Sequence, residues 1–98
     1  MKFHLDIQPT ARQDLADTVR YYEDLREGLG LRFLDLWEKQ VEALCSNALL
    51  YQKKHKSFRT VLIKPYPYHI VYEIEGQTVY VYKVVFAGRH PKKRYTKK

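Results

Sequence analysis

The stretch from Ser57 to Phe86, SFRTVLIKPYPYHIVYEIEGQTVYVYKVVF, decides the fold. It is dense in Val, Ile, Tyr and Phe, residues that suit a pleated, half-buried surface. Pro65-Tyr66-Pro67 and Glu75-Gly76-Gln77 punctuate it, a proline-bounded bend and a tight hairpin turn around glycine. The spacing predicts three strands, at 57–64, 68–75 and 78–86. Short connections make all three antiparallel.

Working back from this meander, the pattern changes period. Leu29, Phe33, Trp37, Val41, Leu44 and Ala48 recur at three- and four-residue steps, which predicts a helix over about 29–46. Ala11, Leu15, Val19, Tyr22 and Leu25 do the same over about 10–26, with Thr10 and Gln13 at capping-box spacing and with Gly28 and Gly30 as breakers. Two helices joined by so short a link form an antiparallel hairpin. Ahead of them Phe3, Leu5 and Ile7 alternate with polar residues, a short strand that Pro9 ends. The expected architecture is α+β: an N-terminal strand, a helix hairpin, then a three-stranded antiparallel meander that the hairpin covers on one side. Ninety-eight residues make one domain, 1–98, with residues 92–98 free to be disordered.

Charge divides the chain. Residues 1–50 hold six Lys or Arg against nine Asp or Glu, whereas residues 51–98 hold twelve against two. A basic half on a small folded domain gives a directional field that steers anionic partners. One cysteine, Cys45, permits no internal disulfide, and Met1-Lys2-Phe3-His4 runs straight into a strand pattern, so a cytoplasmic protein is expected. No apolar run reaches the roughly 18 residues of a membrane span.

Several chemistries lack their residues. The chain carries no Gly-rich phosphate loop, GxSxG, HExxH or CxxC. His4 and Asp6 share a strand face but read as surface, Cys45 reads as a small core residue, and no metal or cofactor is expected. Tyr66, Tyr68, Tyr72, Tyr80 and Tyr82 fit a half-buried sheet, with base stacking as their functional alternative.

Cations remain. Lys53, Lys54 and Lys56 precede the first strand of the meander and Arg59 lies on it; Arg89, His90, Lys92, Lys93 and Arg94 follow the last. Those strands run parallel, so the start of one and the end of the other lie at opposite ends of the sheet. The two groups meet only if the chain beyond Gly88 folds back across it. Together they could support metal-free RNA cleavage, the ribose 2′-hydroxyl attacking phosphorus while Arg or Lys neutralises the growing charge. Apart, they form a binding surface.

The spacing A-x-x-D-L in Ala11 to Leu15, then Tyr21-Tyr22, Gly30 with Phe33, Phe58-Arg59, PYPYHIVYEI from Pro65 to Ile74 and the closing Arg89-His90-Pro91 resemble the RelE/ParE toxin superfamily. The resemblance covers nearly the whole chain and is closest to the ParE-like plasmid stabilisation proteins. It implies the toxin of a type II toxin–antitoxin pair, held by a small antitoxin with an acidic segment, encoded in an adjacent gene. ParE-like members poison DNA gyrase; RelE-like members cut messenger RNA on the ribosome.

Arg59 matches the arginine before the PYP turn, and Arg89 the arginine two residues before the closing proline. In the ribonuclease reading Arg59, Arg89, Lys54 and Tyr95 take the catalytic roles. In the binding reading Lys53, Lys54, Lys56, Arg59, Arg89, His90, Lys92, Lys93 and Arg94 contact the target. Many relatives carry a histidine five residues before the closing proline, where this chain has Phe86. Phenylalanine transfers no proton, which favours a gyrase-binding toxin over a ribonuclease. A toxin fold that has lost its toxicity is the third reading.

Overall fold

The protein is described by a computed structural model over residues 2–87. Strand β1 (His4–Ile7) leads into helix α1 (Pro9–Leu25) and helix α2 (Leu29–Asn47). A single 3₁₀ turn, Ala48–Leu50, then passes to strands β2 (Lys53–His55), β3 (Phe58–Leu62), β4 (Tyr68–Glu75) and β5 (Thr78–Phe86). The five strands form one sheet in the order β1-β5-β4-β3-β2. The α+β class and the helix hairpin agree with expectation, and the strand count differs in one respect. Lys53-Lys54-His55 forms a three-residue edge strand antiparallel to β3, which no alternation of apolar residues announces because all three side chains are exposed.

β1 lies parallel to β5, pairing Leu5 with Val79 and Ile7 with Val81. β4 joins β5 and β3 in antiparallel ladders, Arg59 facing Tyr72 and Tyr72 facing Val81. Strands β1, β3 and β5 therefore start at one end of the sheet, referred to below as the lower end. The Pro65-Tyr66-Pro67 bend and Phe86 lie at the upper end, where Ala87 donates its N–H to Pro67 C=O at 2.7 Å.

Both helices lie on one face. Phe33, Trp37, Val41 and Leu44 of α2 and Ala11 of α1 are buried with Val61, Ile70, Tyr72, Val79 and Val81 of the sheet. Burial of this kind, worth about 1.5–3 kcal/mol per large side chain, is what aligns the 3.6-residue stripe with the two-residue alternation. The sheet's other face carries a smaller cluster of Phe58, Val71, Tyr82 and Val85.

Three local expectations change. Thr10 makes no cap: α1 starts at Pro9, after Gln8, with no side-chain cap bond. Proline serves well there because the first helical N–H has no intrahelical partner to lose. Leu25 is exposed rather than in the stripe. Only Gly28 acts as a breaker, at φ 91°. Gly30 lies inside α2, where a Cβ would meet the Val19 carbonyl oxygen at 2.2 Å, so it sets how closely the helices approach.

Candidate target-binding surface

Four of the expected cations gather around the start of β3. Lys53 and Lys54 stand on β2, and Lys56 forms the turn into β3 with a left-handed φ of 53°. All three are exposed. Arg59 is half-buried on the helix-facing side of β3, and its Nη1 donates to Tyr51 C=O at 2.6 Å. Beside it Tyr72 is fully buried and donates its O–H to Ala48 C=O at 2.6 Å. Burial raises the Tyr72 pKa well above the ordinary tyrosine value, and Arg59 offsets part of the rise. Arg59 thus holds the segment that carries the lysines, a role its motif position did not announce.

Ser57 and Tyr82 both donate to Glu73 on the other face. Burial, with the Glu73 carboxylate beside it, pushes the Tyr82 hydroxyl up to about 12. That phenol stays protonated at neutral pH and supplies no base.

The upper end is built differently. Phe86 closes β5 and packs edge-on against Tyr68, ring centroids 5.7 Å apart. Tyr68 continues into an aromatic group with Tyr22, Phe33 and Tyr66, and the Tyr66 hydroxyl donates to Leu29 C=O at 2.7 Å. Burial raises the Tyr22 pKa, helped by neighbouring tyrosines. Phe86, Tyr68 and Tyr21 line a cleft of about 430 Å³ with Asp14, Asp17 and Lys83. Asp14 accepts the Val84 N–H at 3.0 Å, and burial lowers the Lys83 pKa, Asp14 partly opposing it.

Arg59 faces Tyr72 and Val81, while Phe86 faces Tyr68. Five residues of β5 separate those rows, roughly 17 Å of strand. The structure therefore groups Lys53, Lys54, Lys56 and Arg59 around the start of β3 and places Phe86 at the far end of β5. Arg89, His90, Lys92, Lys93, Arg94 and Tyr95 lie outside the described residues, as does the 92–98 tail.

Two further features escaped the reading of the sequence. Leu49 and Leu50, on the turn that precedes β2, are exposed leucines; no period singles them out. A groove of about 740 Å³ runs between the helices, floored by Leu15, Val19, Leu34 and Trp37 and edged by Arg12, Arg20, Glu23 and Glu38. His4 and Asp6 are exposed on β1, with Asp6 accepting from Gln8 Nε2 at 2.9 Å. Cys45 is half-buried and donates through Sγ to Val41 C=O at 3.5 Å. Among the described residues no helix is long and apolar enough to cross a membrane.

Comparison with known proteins follows the same lines. The family model described as the ParE toxin of the type II toxin–antitoxin system, parDE, matches residues 5–91. Among solved structures, a chain of the chromosomal ParDE toxin–antitoxin system from P. aeruginosa has the same fold, with a TM-score of 0.75 at 17% identity. The likeness covers 85% of this chain and 94% of that one. No curated protein matches by sequence.

Proposed function

This chain belongs to the ParE toxin family of type II toxin–antitoxin systems, and on that premise we propose that it acts by protein contact, inhibiting DNA gyrase by direct binding. The observation that carries the reading is the separation of Lys53, Lys54, Lys56 and Arg59 from Phe86 along the sheet. A ribonuclease needs its cations and its proton-transferring groups around one phosphate. Here Phe86, packed edge-on against Tyr68, has no proton to transfer, and Arg59 is engaged with the Tyr51 carbonyl.

Lys53, Lys54, Lys56 and Arg59, with Arg89, His90, Lys92, Lys93 and Arg94, supply the positive field that draws the target, and on the gyrase reading the toxin acts in the cytoplasm. A toxin of such a pair has a cognate antitoxin. Its acidic segment, encoded beside this gene, folds on binding and covers the helix hairpin, where the groove of Leu15, Val19, Leu34 and Trp37 offers an apolar seat.

The test pairs two assays of the purified protein, supercoiling by gyrase on relaxed plasmid and message integrity on translating ribosomes. Lost supercoiling with intact message is the expected result. Codon-linked cuts without any effect on gyrase would overturn it in favour of the ribonuclease, and no growth arrest on expression would mean that toxicity has been lost.

A further inference from the structure

The outer face of the sheet, turned away from both helices, carries Phe58, Val71, Tyr82 and Val85. An antiparallel sheet with one face in water shows polar side chains there. These four are apolar or aromatic, and they are 6%, 0%, 7% and 8% exposed. Side chains stand roughly upright on a sheet, so neighbours shield their flanks while their tips stay wet unless something lies over them. Among the described residues no helix or strand lies over this face. Helices α1 and α2 pack on the opposite one, and the five strands form a single layer. The face is nonetheless out of water in the isolated chain, so the cover comes from the chain itself.

Residues 88–98, outside the described residues, start from the right place. Val85 points to this face, and Ala87, the last described residue, is held by the Pro67 carbonyl. Gly88 comes next, a residue type that reverses direction without steric cost. The remaining eleven residues reach about 36 Å when extended. The rows of Phe86 and Arg59 are roughly 17 Å apart, so the length suffices to cross.

Their chemistry fits the face as well. The stretch holds six Lys or Arg, with Pro91 and Tyr95, and no acid. Lysine and arginine lay their methylene stems on apolar surface and keep the charged ends in water. A guanidinium also stacks on aromatic rings, and Tyr80 and Tyr82 lie ring on ring there, centroids 6.4 Å apart. Glu73 and, at the lower end, Glu75 supply negative charge on β4 beside the path.

We infer that residues 88–98 fold back across the outer face, over Val85, Tyr82, Val71 and Phe58, and that their cations join Lys53, Lys54 and Lys56 in one basic surface. β2 adjoins Phe58 through its pairing with His55, so a segment crossing Phe58 arrives beside those lysines. Arg59 points to the helix side, toward the Tyr51 carbonyl. The fold-back therefore enlarges a binding surface without assembling a catalytic set around Arg59. The cover follows from burial; the use of the joined surface rests on the protein-contact reading of the toxin.

The test is NMR of the full-length protein with protonated valine methyl groups. Nuclear Overhauser contacts from the Val71 and Val85 methyl groups to residues 88–98 are expected, unchanged on dilution. Replacing residues 88–98 by glycine and serine at equal length should raise the binding of a dye for apolar surface severalfold. Should that variant unfold, the wild-type contacts decide. Val71 and Val85 without any contact to residues 88–98 would overturn the inference. So would contacts that a mixture of labelled and unlabelled chains shows to be intermolecular, with a second copy as the cover.

For the joined surface, acetylation of Lys53, Lys54, Lys56, Lys92 and Lys93 should slow severalfold together when gyrase is bound. Protection of one group alone would sink the single surface. If gyrase is inhibited and the methyl contacts are absent, the inference fails while the gyrase reading stands. If the contacts are present and gyrase is untouched, the gyrase reading fails while the fold-back stands.

Discussion

Asp14, in the first helix, accepts the backbone N–H of Val84, in the last strand, at 3.0 Å. Seventy residues of sequence separate them, and the contact ties α1 to β5 alongside the packing between the two. It also gives Asp14 of the A-x-x-D-L spacing a structural task.

Asp14→Ala should leave the half-buried Val84 N–H without that acceptor. An unsatisfied buried donor costs about 1–3 kcal/mol, so the unfolding midpoint in urea should fall with an unchanged slope. Asp14→Asn keeps an acceptor oxygen and should recover most of the loss. An alanine variant as stable as the wild type would show that water replaces the bond.

Gly30 and Gly28 should respond to alanine for different reasons. At Gly30 the new Cβ would lie 2.2 Å from the Val19 carbonyl oxygen, so the helices must separate. Overpacking costs about 1–3 kcal/mol, sometimes more. At Gly28 there is open space but φ is 91°, and a left-handed L-residue costs about 1–2 kcal/mol. Crystal structures of the two variants would separate a displaced helix from a strained turn.

Glu23 accepts the N–H groups of Gly28, Gly30 and Leu31 at 2.7, 2.9 and 3.2 Å, closing the start of α2 from the end of α1. These bonds, that from Gly28 first, hold its carboxyl below the ordinary value of 4.5. A depressed folded pKa means that the charged form stabilises the fold: the contribution is present above about 4.5 and is lost as pH falls through the lower folded value. Glu23→Gln should be less stable at neutral pH and should flatten the acid limb of a stability-against-pH curve. An acid limb identical in both proteins would refute the assignment.

Tyr72 and Tyr82 carry hydroxyls raised by burial, Tyr82 to about 12. A raised tyrosine pKa favours the neutral form in the fold, so stability should decline as pH climbs above 10 toward 12. Tyrosinate absorbance should show these two residues ionising only with unfolding. Tyr82→Phe should lessen the alkaline decline; ionisation of all tyrosines before any unfolding would contradict it.

The α+β class, both helices and the three long strands were legible because periodicity over eight or more residues records which side of an element meets the core. Lys53–His55 was not legible as a strand, since its exposed side chains carry no alternation and its pairing with β3 is a backbone event. Arg59 and the three lysines could be named from charge and motif, yet not the bond to Tyr51 that gives Arg59 its structural part. Leu49 and Leu50 illustrate the opposite failure. Their composition points inward, and they face water because the backbone on either side is held by Tyr72 and Arg59.

The sequence by itself determined the architecture, the basic half and the phenylalanine at the end of β5, because local propensity, period and charge are properties of neighbouring residues. Tertiary structure alone decided that the rows of Arg59 and Phe86 lie five residues apart along β5, that Asp14 reaches Val84 and that two leucines face outward. Each depends on strand order, register and long-range hydrogen bonds, which bring together residues whose separation along the chain carries no record of the meeting.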